Sequence, residues 1–90
     1  MAKRGKLEIM RDILIIIREN KNRIKPTPLL RKSGISSLSF NEYYTEMLEK
    51  QLIMEVKSES GGKVISVTER GFRFIERYRS IVEFIDEFDL

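Results

Sequence analysis

Between Pro26 and Glu42 the chain carries a helix start, a helix stop and a second helix start in quick succession. In "PTPLLRKSGIS", Thr27 can cap a helix whose first position is Pro28, where the missing N–H costs nothing, and Gly34 can close it in a left-handed C-terminal conformation. The helix bounded in this way, "PLLRKS", is short. Ser39 and Glu42 then have the S-x-x-E spacing of a capping box, and Leu38 and Tyr43 occupy the two positions of a hydrophobic staple. A further helix is predicted over about residues 40 to 51. A short glycine-ended helix followed at once by a capped one leaves few folds open.

The flanking segments narrow the choice. In "KLEIMRDILIIIREN", Leu7, Met10, Ile13, Leu14 and Ile17 recur at helical spacing, which predicts a first helix from about residue 6 to 20 with one buried face. The polar run "NKNRIK" ends it. After the third helix, "LIMEVKSESGGKVISV" holds two β-rich runs around Ser-Gly-Gly, which is hairpin chemistry with Met54 and Val56 on one face. Turn chemistry accounts for Gly61 and Gly62; no phosphate-loop pattern follows them. Thr68 can cap a last helix, "ERGFRFIERYRSIVEFIDEF", about 30 Å long at the usual rise. The expected fold is mainly α with a small β-hairpin: a winged helix-turn-helix over residues 1–68, then a C-terminal helix over 69–90. Repeats, low-complexity tracts and linkers are absent from the sequence.

A chain of 90 residues buries only somewhat more than about 60% of its unfolded surface, so its stability is expected to be shared with a second subunit. With no cysteine and no histidine, disulfides, zinc fingers, thiol nucleophiles and imidazole bases are excluded. Carboxylate pairs such as Glu42 with Glu46 lack a nearby nucleophile and base. We therefore expect no enzymatic activity, no metal and no cofactor, and no feature points to a small-molecule effector. The basic and then apolar N-terminus is interrupted by Glu8, Arg11, Asp12, Arg18 and Glu19, and no run approaches the roughly 20 apolar residues of a membrane span. A cytoplasmic protein is expected. Its net charge of +3 is unevenly spread: residues 1–32 hold ten Lys/Arg against three acids, residues 33–68 three against five, and residues 69–90 four against six.

On a helical wheel of the third helix, Phe40, Tyr44, Met47 and Leu48 form the core side. The opposite side offers Ser39, Asn41, Glu42, Thr45 and Glu46 as candidate base-reading residues. Asn41 and Thr45 can hydrogen-bond base edges, and a carboxylate can accept from the cytosine amino group. An acidic reading helix is tolerable because affinity for DNA comes mainly from phosphate neutralisation, which neighbouring cations can supply. Lys3, Arg4 and Lys6 of the N-terminal arm, Arg31 and Lys32 at the end of the second helix, and Lys57 and Lys63 beside the wing tip are the candidate phosphate contacts. In the last helix Phe74, Tyr78, Ile81, Ile85 and Phe88 alternate steps of four and three, a coiled-coil seam, with Phe72, Ile75 and Val82 as a second stripe. One stripe is expected to pack on the chain itself and the other on a second copy.

The segments "KLEIMRDIL", "PTPLLRKSGIS", "LSFNEYYTEMLEKQLI" and "SVTERGFRFIERYRSI" together resemble the archaeal 10a-type winged-helix proteins. The most specific pieces are T-x-x-G-x-x-F-x-x-x-Y, carried by Thr68, Gly71, Phe74 and Tyr78, and Y-x-x-x-L-x-x-x-L-I, carried by Tyr44, Leu48, Leu52 and Ile53. The resemblance implies a small dimeric DNA-binding or chromatin protein whose last helix forms a coiled coil. Gln51 departs from it, standing where such proteins end the third helix with glycine, so a continued turn is expected to lead into the wing. The reading is thus a homodimer that binds double-stranded DNA as a transcriptional regulator or a nucleoid-associated chromatin protein. Its rival is a winged helix used as a protein-interaction module in transcription machinery, with the acids of the third helix meeting a basic partner.

Overall fold

The computed structural model describes residues 5–90, so the expected contacts of Lys3 and Arg4 lie outside the described residues. Its elements run α1 (Lys6–Glu19), α2 (Pro26–Ser33), α3 (Ser37–Glu49), β1 (Ile53–Lys57), β2 (Lys63–Val67) and α4 (Glu69–Glu87). Helix α1 is central and packs against α2, α4 and β2. Its inner stripe, Met10, Ile13, Leu14 and Ile17, is buried as its periodicity predicts. Leu7 is not: it stands 50% exposed, because the stripe's first turn projects past the core.

The segment after α1 does more than break a helix. Asn22, in a left-handed conformation that asparagine tolerates, accepts from the Val67 N–H through Oδ1 at 2.8 Å, and its carbonyl accepts from Ser66 Oγ at 2.7 Å. Ile24 then pairs with Ile65 by two backbone hydrogen bonds of 3.2 and 2.7 Å. Of the six residues that read as a polar break, Asn22 and Ile24 thus bond along β2, Ile24 by an isolated bridge. Asn22 satisfies the buried Ser66 hydroxyl, which would otherwise be a costly orphan.

Helix α2 begins slightly earlier than expected. Its N-cap is Lys25, without a side-chain cap, and Pro26 rather than Pro28 takes the first position. Pro28 falls among the first residues, whose N–H groups have no intrahelical partner, so neither proline costs a bond. Gly34 ends the helix at φ +74° as predicted.

The start of α3 is a larger correction. Ser36, not Ser39, is the N-cap: its side chain accepts from the Ser39 N–H at 3.2 Å, so the Ser39–Glu42 capping box does not form. The staple fails with it, since Leu38 lies inside the first turn and faces solvent. The earlier start adds a turn of backbone bonding, beginning with Phe40 N–H to the Ser36 carbonyl at 2.8 Å, while Phe40 and Met47 still reach the core. An equal cap with more helix behind it prevails.

The exit of α3 shows how the chain manages without glycine. Gln51 itself adopts the left-handed conformation, φ +61°. The Leu52 N–H reaches the Met47 carbonyl at 2.9 Å and the Gln51 N–H the Leu48 carbonyl at 3.0 Å, a Schellman closure rather than a continued turn. The Gln51 carbonyl accepts from Thr68 Oγ1 at 2.6 Å, and that same oxygen accepts from the Gly71 N–H at 3.0 Å to cap α4. At Gly71 a Cβ would collide with the Leu52 carbonyl oxygen and lie 2.6 Å from Val67 Cγ1, so only glycine lets α4 sit this close. Threonine and glycine three residues apart are therefore one device, a cap and a close approach.

Strands β1 and β2 are antiparallel in the register Ile53↔Val67 to Lys57↔Lys63, and the Ser58–Gly62 loop closes with the Ser58 N–H on the Gly62 carbonyl at 2.7 Å. Met54 and Val56 share a face, as predicted, and that face is largely open on β1. The first half of α4 completes the core with Gly71 and Ile75, but its second half leaves the body, giving extents of 49 × 26 × 22 Å.

Candidate nucleic-acid interface

With α3 anchored by Phe40 and Met47, its outward side is set by helix geometry. At about 100° per residue, Leu38, Asn41, Glu42, Thr45 and Glu49 gather on the side away from Met47, and all five are exposed. Ser39 is half-buried at the edge of this face, where its N–H belongs to the Ser36 cap. Arg31 and Lys32 are exposed at the end of α2, one turn from the start of α3.

Two of the expected phosphate contacts are engaged within the chain. Lys6 Nζ lies 2.7 Å from Glu46 Oε2, and Lys50 approaches the same oxygen at 3.7 Å. Glu46 is therefore turned toward α1 rather than standing free beside Asn41 and Thr45. The hydrogen bond from Lys6, against a smaller opposing effect of burial, holds its carboxyl below the usual glutamate range. On the wing, Lys63 Nζ is 3.0 Å from Glu55 Oε2, and the same carboxylate accepts from the Tyr44 hydroxyl. Hydrogen bonds from Tyr44 and then Lys63 lower the Glu55 pKa, whereas burial and then the Glu55 carboxylate push the Tyr44 phenol well above its ordinary range. Tyr44 stacks on Phe40 with ring centroids 5.7 Å apart, so the wing is tied through Glu55 to the core side of α3. Lys57 is exposed beside the wing tip, opposite Lys63.

This geometry is a helix with an exposed, mostly polar face, exposed cations at the end of α2 and a hairpin joined to α3 through the half-buried Tyr44. A family model described as winged helix-turn-helix matches residues 3–86. The chain belongs to the winged helix-turn-helix family. Within that family α2 and α3 are the two helices of the motif and β1–β2 is the wing. Among solved structures, the chain is similar to Sso10a-2, a DNA-binding protein from Sulfolobus solfataricus, with a TM-score of 0.74 and 20% identity over 94% of this chain and 85% of that one. The fold is thus of the archaeal 10a type that the segments above resemble. No curated protein matches the sequence.

Two features of the site escaped the sequence, and a third, Lys50, was legible there. The Tyr44–Glu55–Lys63 link joins residues 11 and 8 apart in sequence, which no local pattern shows. Lys50 was visible as an i, i+4 partner of Glu46, a spacing that signals such pairs. The outward turn of Leu38 depended on which serine caps α3.

The expected seam of α4 divides in two. Phe74 and Tyr78 are half-buried on their own chain, and Tyr78 carries Arg11 over its ring at 4.8 Å. Ile81, Ile85 and Phe88 are exposed, together with Val82 and Phe84, and Phe84 meets Phe88 edge to face at 5.0 Å. Among the described residues no helix is long and apolar enough to cross a membrane.

Proposed function

We propose that this chain binds double-stranded DNA as a homodimer and acts as a transcriptional regulator or chromatin-associated protein on the nucleoid. The observation that carries the reading is the exposed face of α3, with Arg31 and Lys32 exposed at the end of the preceding helix and Lys57 and Lys63 exposed on the wing. In this reading α3 enters the major groove, where Asn41, Thr45 and Glu42 meet base edges and Ser39 lies at the margin. Arg31, Lys32 and Lys57 hold phosphates directly; Lys6 and Lys63 can do so by exchanging a carboxylate for a phosphate. The similarity to a solved protein described as DNA-binding supports it.

Residues 1–68 carry the reading unit and residues 69–90 the dimerisation helix, whose first half also closes the core. The second half of α4 supports the dimer: Ile81, Val82, Phe84, Ile85 and Phe88 make an apolar surface that a monomer would leave in water. Titration of the protein against a random-sequence duplex at low and moderate salt tests the central claim. Binding that weakens steeply with salt is expected. Little binding at any salt would favour a protein-interaction module, in which exposed Glu42 and Glu49 meet a basic partner.

A further inference from the structure

Leu38 is 73% exposed, more than any other large apolar residue within a described helix. It lies in the first turn of α3, nine residues and therefore about 180° from the fully buried Met47, at the centre of the outward face. Its neighbours on that face, Asn41, Glu42 and Thr45, are polar and exposed. The Ser36 cap puts it there, because a start at Ser39 would have folded it back as a staple. A leucine held in open water by a well-capped helix gains nothing for its own fold.

We propose that Leu38 is a specificity-determining residue that reads the C5-methyl group of thymine. The inference rests on α3 being the reading helix. Of the groups that base pairs present in the major groove, the thymine methyl is the apolar one, and an aliphatic side chain at the leading turn of the helix is its chemical complement. Asn41, one turn further along the same face, has the donor and acceptor that pair with the adenine edge. Leucine and asparagine at i and i+3 thus suit the two halves of A·T pairs. A leucine offers no hydrogen bond to any base edge, so its preference rests on the methyl group, which the G·C pair lacks.

The test uses duplexes selected for binding from a random pool, each then prepared with thymine or with deoxyuridine, which lacks only the methyl. Wild-type protein is expected to bind the thymine form about fourfold more tightly per methyl contacted, the equivalent of one buried methylene-sized group. Leu38→Ala should bind both forms alike with an unchanged salt slope, whereas Leu38→Met should keep the preference. Unchanged thermal unfolding in both variants is expected from the side chain's exposure. Equal binding of the two forms by the wild type, or a preference that survives in Leu38→Ala, overturns the proposal while leaving DNA binding intact. Absence of binding to any duplex at low salt overturns the DNA-binding reading itself, and this inference with it.

Discussion

The Thr68 hydroxyl donates to the Gln51 carbonyl and accepts from the Gly71 N–H, so one side chain closes α3 and opens α4. What it holds in place is a glutamine in a conformation that costs an L-residue roughly 1–2 kcal/mol. Gln51→Gly should relieve that strain and return part of the gain as unfolded-state entropy, leaving a net stabilisation of up to about 1 kcal/mol. A higher urea midpoint with an unchanged slope would show it; a lower midpoint would mean that the glutamine side chain contributes to the fold. The Tyr44–Glu55 pair predicts a pH dependence with two limbs. Glu55 has its pKa lowered from 4.5, so its contribution is present above that value and is lost as pH falls through the depressed one. Tyr44 has its pKa raised from 10.0, so its contribution is present below that value and is lost as pH rises beyond it. Unfolding midpoints followed across this range should fall at both ends, and Tyr44→Phe should abolish the alkaline loss and weaken the acid one. An identical profile in the variant would show that other groups set both limbs.

At the scale of elements, α3 and the wing divide the work between acids and bases. Replacing Arg31 and Lys32 with alanine should weaken binding to every duplex and lower the salt slope by about 0.9 for each phosphate left without its cation. On the wing the two lysines should differ. Lys57→Ala should show the full effect and Lys63→Ala a smaller one, since the charge of Lys63 is already partly neutralised by Glu55. Equal slopes in all variants and the wild type would remove these residues from the interface. Glu46 acts on the same balance from the other side. Its carboxylate holds Lys6 at 2.7 Å and Lys50 at 3.7 Å, so Glu46→Gln should free two cations as well as remove a charge that repels phosphate. Tighter binding to unrelated duplexes and a steeper salt slope are expected; weaker binding throughout would show that the lysines need Glu46 to be placed.

For the whole molecule, the unpartnered half of α4 and the order of charges along it predict an antiparallel dimer. Up to residue 79 the helix carries Arg70, Arg73, Arg77 and Arg79 against Glu69 and Glu76, whereas Glu83, Asp86, Glu87 and Asp89 lie at the end with no base among them. A parallel pair would set acids against acids at helix C-termini, where negative charge is already disfavoured. Antiparallel pairing sets each acidic end against the partner's arginines and generates a two-fold interface. Arg11, Arg18 and Arg79 lie beside Ile15, Ile75, Tyr78 and Val82 where α1 meets α4, with Glu83 among them and 3.4 Å from Arg79. Single cysteines at positions 74 and 88 in separate chains should couple 74 to 88 on mixing. Coupling of like positions would indicate a parallel dimer, and a monomeric mass at micromolar concentration would remove the dimer altogether.

The sequence by itself determined the order of the elements, the Gly34 stop, the Thr68 cap and the hairpin, because each rests on a signal within a few residues: a φ that glycine adopts freely, a hydroxyl two or three positions from an orphan N–H, a period of two or of three to four. Tertiary structure decided where local signals compete or run out. Three serines could each have capped α3, and the choice of Ser36 went with the extra helical turn that still delivers Phe40 and Met47 to the core. Gln51 takes a glycine's conformation with its carbonyl bound by Thr68, 17 residues on. Asn22 bonds along β2 to Ser66 and Val67, 44 and 45 residues away, and Glu46 was drawn from the reading face by a lysine on another helix. Such contacts depend on chain segments meeting in space, and no pattern within either segment records the meeting.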